Sequence, residues 1–315
     1  MPNWRPTASL NNLQMRAHAL NKVRDFFAKH RVLEVETPLL GLHTVTDPNI
    51  DSFKLAQHRY LQTSPEYAMK RLLAAGVPDI YQICKCFRQA EQGNTHNPEF
   101  TMIEWYRLGF SLEQIMQETV QLIAEVVGSV IQDKKVEYIS YDDAYKKALG
   151  ISFFELTEND VNQLSIDHGL QVDASMSTAQ KIDFVFSQLV MSKLDQHAIT
   201  CVYHYPAQQA ALAQLNAKDS LVADRFEVFC AGLELANGYV ELLDSHTQLA
   251  RFEADQQVRA SQGLPDIDID QRLLDAQKHG LPDCAGVAVG LDRLLMLALG
   301  AKNIEQVMSF SWKNA

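Results

Sequence analysis

Three strings of this chain hold side chains of types and spacings suited to chemistry. The first is Phe87-Arg88-Gln89-Ala90-Glu91-Gln92-Gly93-Asn94-Thr95-His96-Asn97-Pro98-Glu99-Phe100-Thr101-Met102-Ile103-Glu104-Trp105-Tyr106. An arginine fork there can grip a carboxylate and a phosphate at once, bringing nucleophile and electrophile together. Taken alone, Arg88 is more simply a surface strand arginine. The second is Gly286-Val287-Ala288-Val289-Gly290-Leu291-Asp292-Arg293-Leu294, a Gly-punctuated strand running into a helix. Gly290 lets a ligand approach the backbone, and a helix N-terminus favours anions, so Arg293 stands where a phosphate can be held. The third runs from Phe226 to Leu242. A tight turn near Cys230-Ala231 would set Glu227 and Glu234 directly opposite each other. Like charges so opposed are destabilising. A hard cation such as Mg²⁺, bound by one or two carboxylates plus phosphates, removes the conflict. A different register would leave both solvated. Farther along, Gly238 permits close backbone approach. Glu241 is placed as an internal carboxylate that needs a partner, and a substrate ammonium is one.

The elements that must position these groups follow from periodicity. Apolar residues at Leu13, Ala17, Leu20, Val23 and Phe27 have helical spacing from about Asn11 to His30. Val32 to Glu36 reads as a strand ended by Pro38. Thr63-Ser64-Pro65-Glu66-Tyr67 opens a helix, with Ser64 or Thr63 as cap. Asp79 to Arg88 alternates, placing Gln82, Cys84, Cys86 and Arg88 on one face. Phe100, Met102, Glu104 and Tyr106 share a face of the next strand. The connection of about a dozen residues is longer than most hairpin loops, and such loops are often functional. Ser111 to Ile131 is an amphipathic helix. Residues from about 133 to 200 look helical and irregular, an insertion in the core. Beyond it, strands are expected at Cys201–Tyr205, Arg225–Phe229 and Leu233–Leu242, and a helix from Asp244 to Ser261.

Composition sets the bounds. The 315 residues are 47% hydrophobic and 21% charged, as in a globular protein. No run of about 18 apolar residues exists to span a membrane. Met1-Pro2-Asn3-Trp4-Arg5-Pro6 lacks the apolar run of a signal peptide, so a cytoplasmic location is expected. The five cysteines are too scattered for a disulfide framework and read as reduced thiols. A net charge of −11 leans against a large nucleic-acid footprint and towards small molecules or a basic protein partner.

The first two strings resemble motifs 2 and 3 of the class II aminoacyl-tRNA synthetases. The helix, strand and Pro38 at the start resemble motif 1. The resemblance implies an α+β fold, a mainly antiparallel β-sheet flanked by helices, with ATP on the open face. It implies activation of a carboxylate as an acyl-adenylate, and a homodimer through the motif 1 helix. The run His96-Asn97-Pro98-Glu99-Phe100 matches the lysine-type branch. By that likeness Arg88 bridges carboxylate and α-phosphate, His96 and Asn97 lie near ATP, and Phe100 stacks on adenine. Gln89, Ala90, Glu234, Leu235, Gly290 and Arg293 complete the ATP set, with Arg293 capping adenine and reaching the γ-phosphate. Glu227 and Glu234 hold Mg²⁺. Glu66, with Ser64 and Pro65 before it, receives the α-amino group. Glu241 grips the ε-amino group with Tyr106, and Asn237 and Ala288 line the same pocket. Ala90 departs from the motif 2 pattern Phe-Arg-x-Glu, so that contact is lost, passes to Glu91, or is made by backbone.

Two features set the chain apart from lysyl-tRNA synthetases. Motif 1 begins within the first dozen residues, leaving no room for an N-terminal anticodon-binding domain and implying a single catalytic domain over 1–315. Ala288 and Ser64 replace a Gly and an Ala. An added methyl against a substrate costs about 1–3 kcal/mol when it overpacks, which disfavours α-lysine. Both features resemble the truncated paralogues that attach (R)-β-lysine to a lysine of translation elongation factor P. The missing domain and the acidic charge argue against tRNA as partner. A tRNA-charging enzyme and a non-catalytic regulatory paralogue remain the competing readings.

Overall fold

The computed structural model describes residues 4–131, 133–171, 176 and 178–315. In chain order the strands are β1 (Leu33–Glu34), β2 (Leu40–Gly41), β3 (Lys54–Leu55), β4 (Arg59–Leu61), β5 (Ile80–Phe87), β6 (Glu99–Leu108), β7 (Val136–Ser140), β8 (Ile199–Pro206), β9 (Val222–Cys230), β10 (Leu233–Val240) and β11 (Cys284–Gly290). The helices are α1 (Leu10–Lys29), α2 (Glu66–Ala74), α3 (Leu112–Val127), α4 (Tyr141–Leu149), α5 (Glu158–Asp167), α6 (Thr178–Val185), α7 (Ser245–Ser261), α8 (Gln271–Gly280) and α9 (Leu291–Leu299). The main sheet has the order β1-β5-β6-β11-β10-β9-β8-β7. Its two edge strands pair in parallel and the six between them are antiparallel. A small sheet, β2-β4-β3, lies apart. This is the α+β architecture the motifs imply. Among the described residues no helix is long and apolar enough to cross a membrane.

Period-two alternation sorts the main sheet into a covered face and an open one. Ile103 and Trp105 of β6, Phe226 and Val228 of β9, and Ala285, Val287 and Val289 of β11 are buried under α1, α3 and α9. Each valine, isoleucine or phenylalanine among them contributes roughly 1.5–3 kcal/mol. Their neighbours Met102, Glu104, Tyr106, Gly286, Ala288 and Gly290 take the other face, where a cleft opens. Ser111 caps α3 in a reciprocal box with Gln114. At the head of α2 the cap position falls on Pro65. Ser64, one residue earlier, accepts the Glu66 N–H at 3.0 Å.

The segment 133–200 differs from its expected helical character. Val136–Ser140 is an edge strand parallel to β8, too short and too exposed to be read from periodicity. The helices after it enclose their own core of Tyr141, Tyr145, Phe153 and Phe186. That core packs against Tyr205 and Phe229. Helix α8, which no sequence signal marked, packs on α2 and α7.

Asp292 ties the three motif elements together. Its Oδ1 lies 2.5 Å from Arg16 Nη1 of α1, and its Oδ2 accepts the Thr101 N–H of β6 at 2.7 Å. Arg16 Nη2 also donates to Thr101 Oγ1 at 2.6 Å. A carboxylate in the first turn of α9 suits the helix dipole, and this one also fixes where Arg293 begins.

Candidate active site

The open face carries a cleft of about 1050 Å³. Its walls hold Ser64, Glu66, Arg88, His96, Asn97, Phe100, Tyr106, Glu227, Glu234, Leu235, Asn237, Glu241, Ala288, Gly290 and Arg293. Gln89, Ala90 and Pro65 are not among its lining residues. Gln89 and Ala90 are exposed at the turn of the motif 2 loop, and Pro65 is buried beneath the head of α2. The strand ends at Phe87, and the chain turns at Gln89 and Ala90.

At one end of the cleft, Arg88 Nη1 pairs with Glu91 at 3.1 Å and its guanidinium carbon lies 5.2 Å from the Phe100 ring centroid. Its Nε is buried with no hydrogen-bond partner. Glu91, not position 90, is the carboxylate beside the arginine. Arg293 Nη1 donates to the Glu234 carbonyl at 2.8 Å, and Nη2 donates to His96 Nε2 at 2.6 Å. That bond fixes His96 as an acceptor at Nε2, and burial together with the Arg293 charge lowers its pKa. Asn97 is more occupied than expected. Its amide donates to the Glu99 carbonyl at 2.6 Å and accepts the Trp312 N–H at 2.9 Å, so it anchors the loop to the C-terminal segment.

Glu227 and Glu234 share a face but are not opposite each other, contrary to the sequence expectation. A two-residue turn, Ala231-Gly232, holds both residues at positive φ, as such hairpin turns require. It pairs Cys230 with Leu233, so Glu234 falls opposite Phe229. A bulge at Leu235 then sets Glu227 against Asn237. Glu227 accepts from Tyr205 Oη at 2.7 Å and from Arg225 Nη2 at 2.6 Å. No group of three or more His, Cys, Asp or Glu side chains is arranged for a metal among the described residues. Two carboxylates on one face still fit Mg²⁺, which takes the rest of its shell from phosphates and water.

At the other end lies a pocket of buried acids. Glu104, which the sequence reading left without a role, accepts from Ser64 Oγ and Tyr106 Oη, each at 2.7 Å. Glu241 is 0% exposed. Gly286 has no Cβ for a reason: one built there would stand 2.4 Å from Tyr106 Cε1 and 2.5 Å from Glu241 Oε1. Glu66 accepts from Tyr239 Oη at 2.7 Å. Within the chain, the partner of both Glu66 and Glu241 is an ammonium, that of Lys70 in α2. The alternation of β6 pointed Glu104 here. Lys70 gave no signal, because a Glu–Lys pair four apart on a helix usually lies in solvent.

Burial pushes Glu104 up to about 7, with Glu66 adding to the rise. Burial does the same to Glu227, to about 7, with Glu234 adding, and to Glu241, to about 8, against the lowering pull of Lys70. Folded values above the unfolded carboxylate value of about 4.3 mean that the protonated forms favour the fold. That stability is present at low pH and is lost as pH rises through about 7–8. Thermal melts of the ligand-free protein should show these groups lowering Tm from about pH 5 to about pH 8. A flat Tm across that window would mean the three carboxylates ionise as freely as exposed ones.

Fold and site together define a class II synthetase core, and the chain belongs to the tRNA synthetases class II (D, K and N) family, which matches residues 3–314. It is 44% identical over 318 residues to a protein of Photobacterium profundum named elongation factor P–(R)-β-lysine ligase, covering 98% of this chain and 97% of that one. A protein of the same name from Vibrio atlanticus gives the same identity and coverage. Another, from Haemophilus ducreyi, is 41% identical over 322 residues, covering 99% of this chain and 97% of its own.

Proposed function

We infer that this protein is an ATP-dependent ligase. It activates (R)-β-lysine as an adenylate and transfers the β-lysyl group to the ε-amine of a lysine on translation elongation factor P. The observation that carries the reading is the 41–44% identity, over nearly the whole chain, to ligases named for that reaction. The gathering of Arg88, Arg293 and the buried acids in one cleft supports it.

The reaction has two steps. A carboxylate oxygen of β-lysine attacks the α-phosphorus, and the α–β phosphoanhydride bond breaks to release diphosphate. The acceptor amine then attacks the carbonyl carbon, the bond to AMP breaks, and the amine loses a proton. Arg88 grips the carboxylate and the α-phosphate, and Arg293 faces the distal phosphates; both oppose charge that grows in the transition state. Phe100 stacks on adenine, and His96 and the Leu235 backbone bound the nucleotide. Glu227 and Glu234 would hold Mg²⁺, which supplies charge neutralisation at the phosphates. Glu66, Glu104, Tyr106, Asn237 and Glu241 receive the amino acid. The active unit is a homodimer through the motif 1 helix, α1; Met15 of α1, Leu33 of β1 and Leu40 of β2 leave apolar surface exposed. The reaction belongs in the cytoplasm with its acceptor.

The test is the intact mass of purified elongation factor P after incubation with this protein, ATP, Mg²⁺ and either (R)-β-lysine or α-lysine. A gain of one lysyl residue, larger with the β isomer, is expected. No gain, with a known active ligase working on the same factor, would return the choice to tRNA charging or a non-catalytic role.

Ala288 stands between Asn237 and Glu104 in cross-strand register. Ala288→Gly should raise the kcat/KM ratio of α-lysine to β-lysine about 10-fold. An unchanged ratio would remove Ala288 as the element of selectivity.

A further inference from the structure

The amine pocket already contains an ammonium group. Lys70 is 1% exposed, and its Nζ lies 2.6 Å from Glu66 Oε1 and 2.5 Å from Glu241 Oε2. The Tyr239 ring centroid is 5.5 Å from the same nitrogen. Glu66 precedes Lys70 by one helical turn, the favourable order for such a pair. Glu104 is the third carboxylate, and the hydrogen bonds it accepts come from hydroxyls, those of Ser64 and Tyr106. Three carboxylates, Glu104 and Glu241 buried and Glu66 half-buried, therefore share one resident ammonium, leaving a balance of two negative charges when all are ionised. Buried acids without counter-charge take up protons rather than remain ionised. A ligand bringing two ammonium groups replaces those protons.

We propose that Lys70 fixes the charge of this pocket so that it accepts a substrate with two ammonium groups, and that such a substrate expels protons from Glu104 and Glu241 as it binds. The inference rests on the reading of the protein as a β-lysine ligase and adds the residue that sets which amino acids enter. Lys70 is a positioning residue, acting through Glu66 and Glu241. Glu104 is faced by Glu66 and Lys70 of α2, by Tyr106 of its own strand, and by Cys86 of β5, with Glu241 beyond. Glu241 is faced by Lys70, Glu66, Glu104, Tyr106, Tyr239 and Cys284. The upward shifts of Glu104 and Glu241 described above agree with protons held there near neutral pH.

Titration calorimetry of the full chain tests this. The chain is loaded with Mg²⁺ and a non-hydrolysable ATP analogue, and (R)-β-lysine is titrated near neutral pH into buffers of different ionisation enthalpy. The measured enthalpy should vary with the buffer as release of about one to two protons requires. Glu104→Gln should lower that count. Lys70→Met should move the pH range of release upward by about one unit, since one more carboxylate then lacks its partner. A purely structural Lys70 would weaken binding without moving that range. 3-Aminohexanoate, which lacks the terminal amine, should bind at least about 100-fold more weakly than β-lysine. β-Lysine binding with a buffer-independent enthalpy, or equal binding of 3-aminohexanoate, overturns the inference and leaves the ligase reading standing. If Lys70→Met does not fold, the wild-type proton count and the analogue comparison still decide. No binding of β-lysine by the folded wild-type chain overturns both.

Discussion

Arg88→Ala should lower β-lysine-dependent ATP–diphosphate exchange about 10²–10³-fold, the usual loss when one donor to a developing oxyanion is removed. Arg88 follows the end of β5, and in the proposed complex it stands between the nucleotide and the amino acid. Its present contacts are modest: an ion pair with Glu91 at 3.1 Å, a face over Phe100, and a buried Nε with no partner. The side chain is 25% exposed, and a half-exposed pair of this kind is worth at most about 1 kcal/mol. Melting temperature should therefore hardly move while exchange collapses. Because the bridging role needs two parallel donors, Arg88→Lys should recover only a small part of the rate. Wild-type exchange in Arg88→Ala would mean that some other cation bridges carboxylate and phosphate.

The strings holding Arg88, Glu234 and Arg293 were legible because each joins an unusual residue to a regular element. The long loop between two alternating strands stands out, as does the glycine spacing before Asp292-Arg293. Alternation also placed Met102, Glu104 and Tyr106 on one face correctly. Register was the point of failure. The turn falls at Ala231-Gly232, one residue later than expected, which sets Glu234 opposite Phe229; a single extra residue at Leu235 then sets Glu227 against Asn237, and nothing in Glu-Leu-Ala announces a bulge. Long-range partners were equally hidden. Arg16 and Asp292 meet across 276 residues, and Lys70 of α2 meets Glu241 beyond the end of β10. The burial of Lys70 comes with long-range partners, Glu241 and Tyr239, both far along the chain.

Glu241→Gln should separate the amino acid from ATP as sharply as Arg88 joins them. Glu241 has no exposure to solvent, faces the Gly286 backbone, and lies 2.5 Å from Lys70 Nζ. In the proposed complex it also meets a substrate ammonium, so one carboxylate serves two cations. The amide keeps the shape and removes the charge. Losing one partner of a buried charged pair costs about 2–5 kcal/mol, so KM for β-lysine should rise at least roughly 30-fold. KM for ATP should change little, because Glu241 lies at the far end of the cleft from Arg293 and His96. The fold should suffer less than the binding, since Lys70 keeps Glu66 at 2.6 Å. Steady-state kinetics with each substrate varied in turn, beside a thermal melt, will read the three quantities apart. A rise confined to the KM of ATP would place the ammonium elsewhere. An unchanged KM for β-lysine with a lowered Tm would leave Glu241 as the counter-ion of Lys70 alone.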